Sequence, residues 1–410
     1  MSKVVLAHIY TKEDKEQAHG VIAECKALCA ACGFDVTAVV SQQSNSLDPH
    51  TAFRSGKLET LKDTVYQTKS EKVVFCLSLS IAATDRIAAY CGCDVLDRTT
   101  LILEIFSRRA MSRQAKLQVE AARLQYALPS LAKDQDVETH ERGGSFSNRG
   151  AGEMRSAVIK RRYQKRIKEI GLQLRAIEKE TEVAERRRKK TSLRRAALVG
   201  YTNAGKSSFM NAVLKLCAPG RKGVLEKDML FATLDTSVRN IVWQGKEFLL
   251  YDTVGFVSDL PHELIEAFHT TLASVRDADL LVHVIDYADP HWQEKSDITL
   301  ATLKEIKADN IPILTVYNKI DLTEDTFFPE NSVSCLNGTG IKEIMNQICI
   351  RLYPVQTGFT ILLPYSEMGM LAEARKTGMI QVLEEREEGI VVEISGMETF
   401  LRPFQKFRIH

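Results

Sequence analysis

The chain runs to 410 residues, 44% of them hydrophobic and 26% charged, with a net charge of +2. That usage excludes a collagenous or wholly disordered chain and suits a protein of roughly two to four domains. No run of about 18 apolar residues occurs, and Met1 to Tyr10 lacks a charged-then-apolar leader, so no membrane span and a cytoplasmic location are expected.

In chain order, residues 4–9, 35–40 and 73–79 are short apolar runs separated by helical patterns such as 15–32. This alternation predicts a small α/β domain with a parallel sheet. Nine cysteines, an odd number in a long chain, speak against a disulfide framework and for reduced thiols. Cys25, Cys29 and Cys32 fall at helical spacing, and Cys91 and Cys93 flank Gly92. Both groups suit buried small apolar side chains, the commoner role, or a metal site.

From Thr100 the period changes. Ala110, Gln114, Leu117, Ala121, Leu124 and Leu128 step by fours and threes. Tyr163, Ile167, Ile170, Leu174, Ile177, Thr181 and Ala184 do the same. The two sets predict one seam of an antiparallel helical hairpin with coiled-coil character. Its remaining faces carry Arg108, Arg109, Arg113, Lys160, Arg161, Arg162, Lys165, Arg166 and Lys168. Residues 106–195 hold 24 Lys and Arg against 11 Asp and Glu, which leaves the rest of the chain at −11. Such a basic block predicts a surface for a polyanion, with nucleic acid the favoured partner. Between the helices, 129–152 is expected to be a connection with a glycine-rich tip. There Phe146 would stack on a base while Arg142 and Arg149 meet phosphates, unless the stretch is a plain linker. The run Arg186-Arg187-Arg188-Lys189-Lys190 closes the second helix, where positive charge also suits the helix dipole.

The apolar run 196–199 leads into Gly200-Tyr201-Thr202-Asn203-Ala204-Gly205-Lys206-Ser207 and then an amphipathic stretch, an order that predicts strand, glycine loop and helix. Loops of this kind turn backbone N–H groups toward a polyphosphate at a helix N-terminus, with Lys206 on the β and γ phosphates and the Ser207 hydroxyl on Mg²⁺. Asp252-Thr253-Val254-Gly255 closes a second strand, setting a carboxylate for water-mediated contact with Mg²⁺ and a glycine N–H for the γ-phosphate. Asn318-Lys319-Ile320-Asp321 follows a third. A carboxylate there accepts from guanine N1–H and its 2-amino group, donors that adenine lacks on that edge, so guanine is the expected base.

These residues together resemble the HflX family of translation-factor-related GTPases. The likeness rests on GYTNAGKSS (200–208), FATLD (231–235), DTVGFVSDL (252–260), PHELIEAFHTT (261–271), ADLLVHVID (278–286) and Asn318 to Asp321. Asp97-Arg98-Thr99 and KLQVEAARLQY (116–126) extend it over nearly the whole chain. The resemblance implies GTP hydrolysis to GDP and phosphate with Mg²⁺. Within Phe231-Ala232-Thr233-Leu234-Asp235, Thr233 matches the position whose hydroxyl joins Ser207 on the metal. Ser334-Cys335-Leu336 matches the loop that backs the guanine, with Cys335 replacing the usual alanine. Asn203 resembles the asparagine that binds a monovalent cation in potassium-stimulated relatives, which adds K⁺ as a candidate. Phe256 stands where many GTPases carry a water-orienting glutamine. A phenyl ring cannot orient water by hydrogen bonding, so no catalytic residue is assigned, and slow turnover stimulated by a partner is expected.

Ser55-Gly56-Lys57-Leu58-Glu59 resembles a signature from a region that binds ATP in some members, against the alternative of an ordinary helix start. The stretch 78–86 departs from the family's asparagine- and glutamine-bearing version. The glycine-rich tip resembles a loop that reaches toward the active centre of the large ribosomal subunit, although Phe146 and Ala151 break the family pattern. The expected fold is α/β: an N-terminal α/β subdomain (1–105), a basic helical arm (106–192), a P-loop GTPase domain (193–353) and a small α/β C-terminal domain (354–410) with a helix over 366–376. The expected function is that of a monomeric, GTP-controlled factor on the large ribosomal subunit, touching its RNA and proteins and acting on stalled or stressed ribosomes. Alternatives are an ATP-driven RNA remodeller working through the N-terminal domain, and a GTP-binding RNA scaffold with negligible turnover.

Overall fold

A computed structural model of the chain describes residues 2–12, 15–141, 149–190, 193–217, 237–257, 274–354, 359–374, 379–395 and 401–409. Strands β1 (Ser2–Tyr10), β2 (Phe34–Gln43), β3 (Lys72–Phe75) and β4 (Asp94–Leu96) form a parallel sheet in the order β2-β1-β3-β4. Its connections are helices α1 (Lys15–Ala31), α2 (Ser55–Thr68) and α3 (Ile81–Cys91). Val4 and Leu6 face one buried cluster and Val5 and Ala7 another, so β1 is apolar without alternation, as a strand covered on both faces must be. Strand β4 has three residues, too few to leave a periodic signal. Cys25, Cys29 and Cys32 are buried in one cluster with Cys76, and burial pushes the Cys32 thiol up to about 11, well away from reactive thiolate. Ser55 opens α2 behind Arg54 as its N-cap, so Lys57 sits in the first turn of a helix that packs Leu58, Leu61 and Val65 on the sheet.

Helix α4 (Arg98–Arg109) is capped by Asp97, which accepts from the Thr100 N–H at 2.9 Å, and it runs across position 105. Ala110 is the C-cap of this helix and is buried in the N-terminal cluster, so it does not belong to the arm seam predicted for it. The stepping of four continues backward across a helix break, which periodicity alone does not register. Arg108 is likewise tied down: it pairs with Glu104 at 3.0 Å, donates to the Cys32 carbonyl and lies 5.6 Å from the Phe34 ring centre.

The arm comprises α5 (Arg113–Glu141) and α6 (Arg149–Lys190). Arg113 meets Gln173 at 3.4 Å while Glu120 meets Arg166 at 2.7 Å, so residue numbers fall on one helix as they rise on the other, and the pair is antiparallel. Leu117, Ala121 and Ile170 form the buried seam, flanked by Leu124, Leu174 and Ile177. Contrary to the expected long connection, α5 continues through Pro129 and α6 already begins at Arg149. One proline removes a single ladder bond, whereas the helix-forming residues that follow it up to Glu141 contain no glycine. Arg142 and Phe146 lie outside the described residues. Ile170→Ala is expected to weaken this seam by about 2–5 kcal/mol, as large-to-small changes at fully buried sites do. Faster amide exchange in both arm helices, with the GTPase domain unchanged, is the measurement that checks it.

Strands β5 (Arg194–Val199), β6 (Ser237–Trp243), β7 (Lys246–Asp252), β8 (Leu280–Asp286) and β9 (Ile313–Asn318) make the second sheet, ordered β6-β7-β5-β8-β9, with only β6 antiparallel to its neighbour. Helices α7 (Lys206–Cys217), α8 (Trp292–Glu305) and α9 (Ile341–Leu352) cover it. The motif loops leave the carboxyl ends of β5, β7 and β9 on one edge, where ligands bind in open α/β sheets. One apolar cluster runs unbroken from Cys25, Leu101 and Phe106 to Val199, Tyr201 and Phe256, so the N-terminal sheet domain packs directly on the GTPase domain. The last sheet is antiparallel, β10 (Phe359–Leu363), β12 (Gly389–Ser395) and β11 (Met379–Arg386) in that order, with a short helix α10 (Gly369–Ala374). That helix begins at Gly369 rather than at the predicted Ser366 because Tyr365–Glu367 forms a 3₁₀ turn ahead of it, and residues 375 and 376 of the prediction lie outside the described residues. Among the described residues no helix is long and apolar enough to cross a membrane.

Candidate functional site

The glycine loop leaves the buried strand β5 and enters α7 at Lys206. Gly205 has φ +93°, and a Cβ there would stand 2.1 Å from the Asn318 amide, so the loop and the β9 motif interlock only because the residue is glycine. Gly255 is also too close for a side chain: a Cβ would lie 2.8 Å from Thr202 Cα and 2.9 Å from the Lys206 amine. The segment after β7 is therefore pressed onto the loop. The Thr202 N–H donates to the Phe256 carbonyl at 2.7 Å and the Phe256 N–H to the Gly200 carbonyl at 3.1 Å. The Phe256 ring is buried in the interdomain cluster that also holds Tyr201 of the loop, and it carries no group that could orient water by hydrogen bonding.

Lys206 is buried, and its amine donates to the Gly200 carbonyl at 3.0 Å and the Tyr201 carbonyl at 2.8 Å. Burial lowers its pKa to about 8, with the Asp252 carboxylate pulling the other way. The Ser207 hydroxyl donates to Asp252 at 2.7 Å. This pair of hard oxygen donors, one neutral and one anionic, at the mouth of a phosphate loop fits Mg²⁺, with Ser207 as a direct ligand and Asp252 acting through water. Thr253 is turned inward, its hydroxyl bonding the Leu198 carbonyl at 2.6 Å, and Val254 is buried beside it. Phe231, Ala232, Thr233, Leu234 and Asp235 lie outside the described residues.

At the other end of the site Asn318 is buried. Its amide donates to the Ala204 carbonyl at 3.0 Å and its oxygen accepts from the Cys335 N–H at 3.2 Å. Asn318 thereby clamps the glycine loop to the Ser334-Cys335-Leu336 loop. Lys319 takes a left-handed φ of 67° and pairs with Asp286 at 2.7 Å. Ile320 and Asp321 follow in a 3₁₀ turn, where the Ser334 hydroxyl donates to Asp321 at 2.5 Å. The Asp321 side chain is exposed and held by this hydrogen bond, and Leu336 is exposed as well.

On the arm, Arg161, Arg162 and Lys165 are exposed on α6. Arg166 forms a two-pronged pair with Glu120 at 2.7 and 2.9 Å and braces the two helices. Sequence patterns did not single out Glu24 or His283. Glu24, on α1, accepts from the Tyr201 hydroxyl at 2.5 Å and pairs with Arg98 at 2.9 Å. His283 is buried near Lys206, and burial, then that lysine, lowers its pKa to about 4, which keeps the ring neutral.

Comparison with known proteins agrees with this geometry. The profile of the family described as 50S ribosome-binding GTPase matches residues 195–319. Profiles described as GTP-binding GTPase N-terminal and GTP-binding GTPase middle region match 20–107 and 109–188. The GTPase HflX of Alkalihalophilus pseudofirmus is 34% identical over 403 residues, covering 96% of this chain and 94% of that one. Its counterpart in Caldanaerobacter subterraneus is 35% identical over 393 residues, with 95% and 89% covered. The Escherichia coli GTPase HflX is 36% identical over 377 residues, with 89% and 86% covered.

Proposed function

This chain belongs to the HflX family of GTPases, and from that premise we propose that it is a GTP-controlled factor of the large ribosomal subunit that acts on stalled or stressed ribosomes. The observation that carries the proposal is a guanine-type P-loop site packed against the domain from which a two-helix basic arm projects. Backbone N–H groups from Asn203 to Ser207 hold the phosphates, and Lys206 reaches the β and γ oxygens with its amine seated on the loop carbonyls. Ser207 and, through water, Asp252 would hold Mg²⁺, with Thr233 as the further ligand that the family resemblance implies, and the ion would neutralise charge on the phosphate oxygens. Asp321 reads guanine, while Asn318, Lys319 and the backbone of Ser334, Cys335 and Leu336 frame the base. Asn203, at φ 62° in the loop, is a candidate K⁺ ligand.

Phe256, which directly follows Gly255, offers no group that can orient water, so turnover is slow until a ribosomal partner completes the site. The test is GTP hydrolysis with and without large subunits, in K⁺ and in Na⁺. Equal rates in all four conditions would remove both stimulation and potassium from the proposal.

Exposed Arg161, Arg162 and Lys165 meet phosphates of ribosomal RNA. Replacing the three with glutamine is expected to weaken co-sedimentation with large subunits and to flatten its log–log salt dependence by about 0.7–0.9 for each phosphate no longer neutralised. An unchanged slope would take this face off the RNA. Exchanging residues 142–148 for an equal length of glycine and serine tests the tip separately: GTP affinity stays, and stimulation by subunits falls.

A further inference from the structure

Tyr201, the second residue of the phosphate loop, is tied down at both its backbone and its side chain. Its carbonyl accepts from the Lys206 amine at 2.8 Å, and its hydroxyl donates to Glu24 of α1 at 2.5 Å. The Glu24 carboxylate also pairs with Arg98 at 2.9 Å, and the Arg98 side chain is 3% exposed and that of Glu24 10%. Arg98 reaches the Cys25 sulfur at 3.6 Å. Lys295 of α8 lies over the Tyr201 ring, 5.3 Å from its centre. The ring is therefore held between the two domains, at the edge of a cavity of about 520 Å³ that α1 forms with the outer face of the loop and the start of α8. A charge pair buried this deeply is costly to break and has little freedom to shift, so it acts as a fixed post.

The residue before Arg98 carries the connection onward. Asp97 accepts from the Leu79 N–H at 3.1 Å, from the Thr100 N–H at 2.9 Å and from the Tyr126 hydroxyl of α5, the first arm helix. Four side chains, Tyr201, Glu24 and the adjacent pair Arg98 and Asp97, thus span the distance from the phosphate loop to Tyr126 on the arm. We propose that Glu24 is a positioning residue of the nucleotide site: it anchors the Tyr201 ring and so the carbonyl that orients Lys206, and through Arg98 and Asp97 it couples the phosphate loop to the base of the arm. The inference rests on the nucleotide site alone and not on what the arm binds.

Dissociation of a fluorescent GDP from the full chain, without ribosomes, tests the anchor. Tyr201→Phe removes one charge-assisted hydrogen bond, leaves the Glu24 and Arg98 pair intact, and is expected to speed release roughly tenfold. Glu24→Gln should give a similar factor, and the double variant should release no faster than either single one. Release from Tyr201→Phe within twofold of the parent, or factors that multiply in the double variant, would overturn the anchor. If thermal unfolding shows that Glu24→Gln does not fold, Tyr201→Phe decides alone. For the coupling, a non-hydrolysable GTP analogue is expected to change amide exchange across residues 97–126 in the parent and not in Tyr201→Phe. An equal response in both overturns it.

Discussion

Asp321→Asn is expected to lower affinity for GTP by roughly 10³-fold or more and to create affinity for xanthosine triphosphate. Guanine presents two donors on the edge read here, N1–H and the 2-amino group, and a carboxylate accepts from both. The amide keeps one acceptor and turns an N–H toward the 2-amino group, so a donor faces a donor. Sites built to hydrogen-bond a polar group reject a mismatched partner by roughly 10⁴–10⁵. The Ser334 hydroxyl donates to Asp321 at 2.5 Å, and the gain of xanthine affinity requires that the new side chain keep its oxygen on that hydroxyl. The NH₂ group then points at the 2-position, where xanthine carries an oxo acceptor. Titration of the variant with both triphosphates checks the prediction. Loss of GTP without gain of the xanthine nucleotide would mean that the rotamer is not held, and retained GTP affinity would mean that Asp321 does not read the base.

The nucleotide site could be read from the sequence because each of its parts is local. A glycine must follow β5 for the loop to pass the Asn318 amide, and a carboxylate must end β7 to meet Ser207. Each requirement leaves its mark within eight or so residues. The arm was legible for a similar reason, since Leu117, Ala121 and Ile170 repeat at the spacing that closes a seam. Its limits were not. Ala110 has the right spacing but caps another helix, and Pro129 reads as a break although α5 continues through it. The contacts that join the domains left no local mark at all. Tyr201 and Glu24 are 177 positions apart, and Arg98 and Glu24 are 74 apart. Their partnership is a product of how α1 lies across the loop, and no window along one chain contains it.

Lys206→Met should have opposite effects on binding and on folding, and the opposition is the test of what that lysine does. With nucleotide, loss of the amine removes charge-assisted bonds to two phosphate groups, and affinity for GTP is expected to fall roughly 10²- to 10⁴-fold. Without nucleotide, the same change should stabilise the fold near neutral pH, because Lys206 is a buried cation whose pKa burial lowers from 10.5 to about 8. Below about pH 8 the amine is charged in both folded and unfolded chains, and the parent bears the full cost of burying it. Between about 8 and 10.5 the unfolded chain binds more protons than the folded one, so the stability of the parent rises with pH across that window. Methionine has no proton to lose. The stability gap in favour of the variant is therefore expected to be constant below about pH 8 and to close as pH climbs toward 10.5. Urea unfolding of both proteins at pH 7, 8.5 and 9.5 reads it directly. A gap that is absent at pH 7, or that fails to narrow, would place the amine in water rather than in the loop. Phosphate restores the positive charge, so binding takes up a proton above about pH 8 and GTP affinity should decline there. Comparison with Lys206→Arg, whose side chain stays charged, separates that decline from titration of the base.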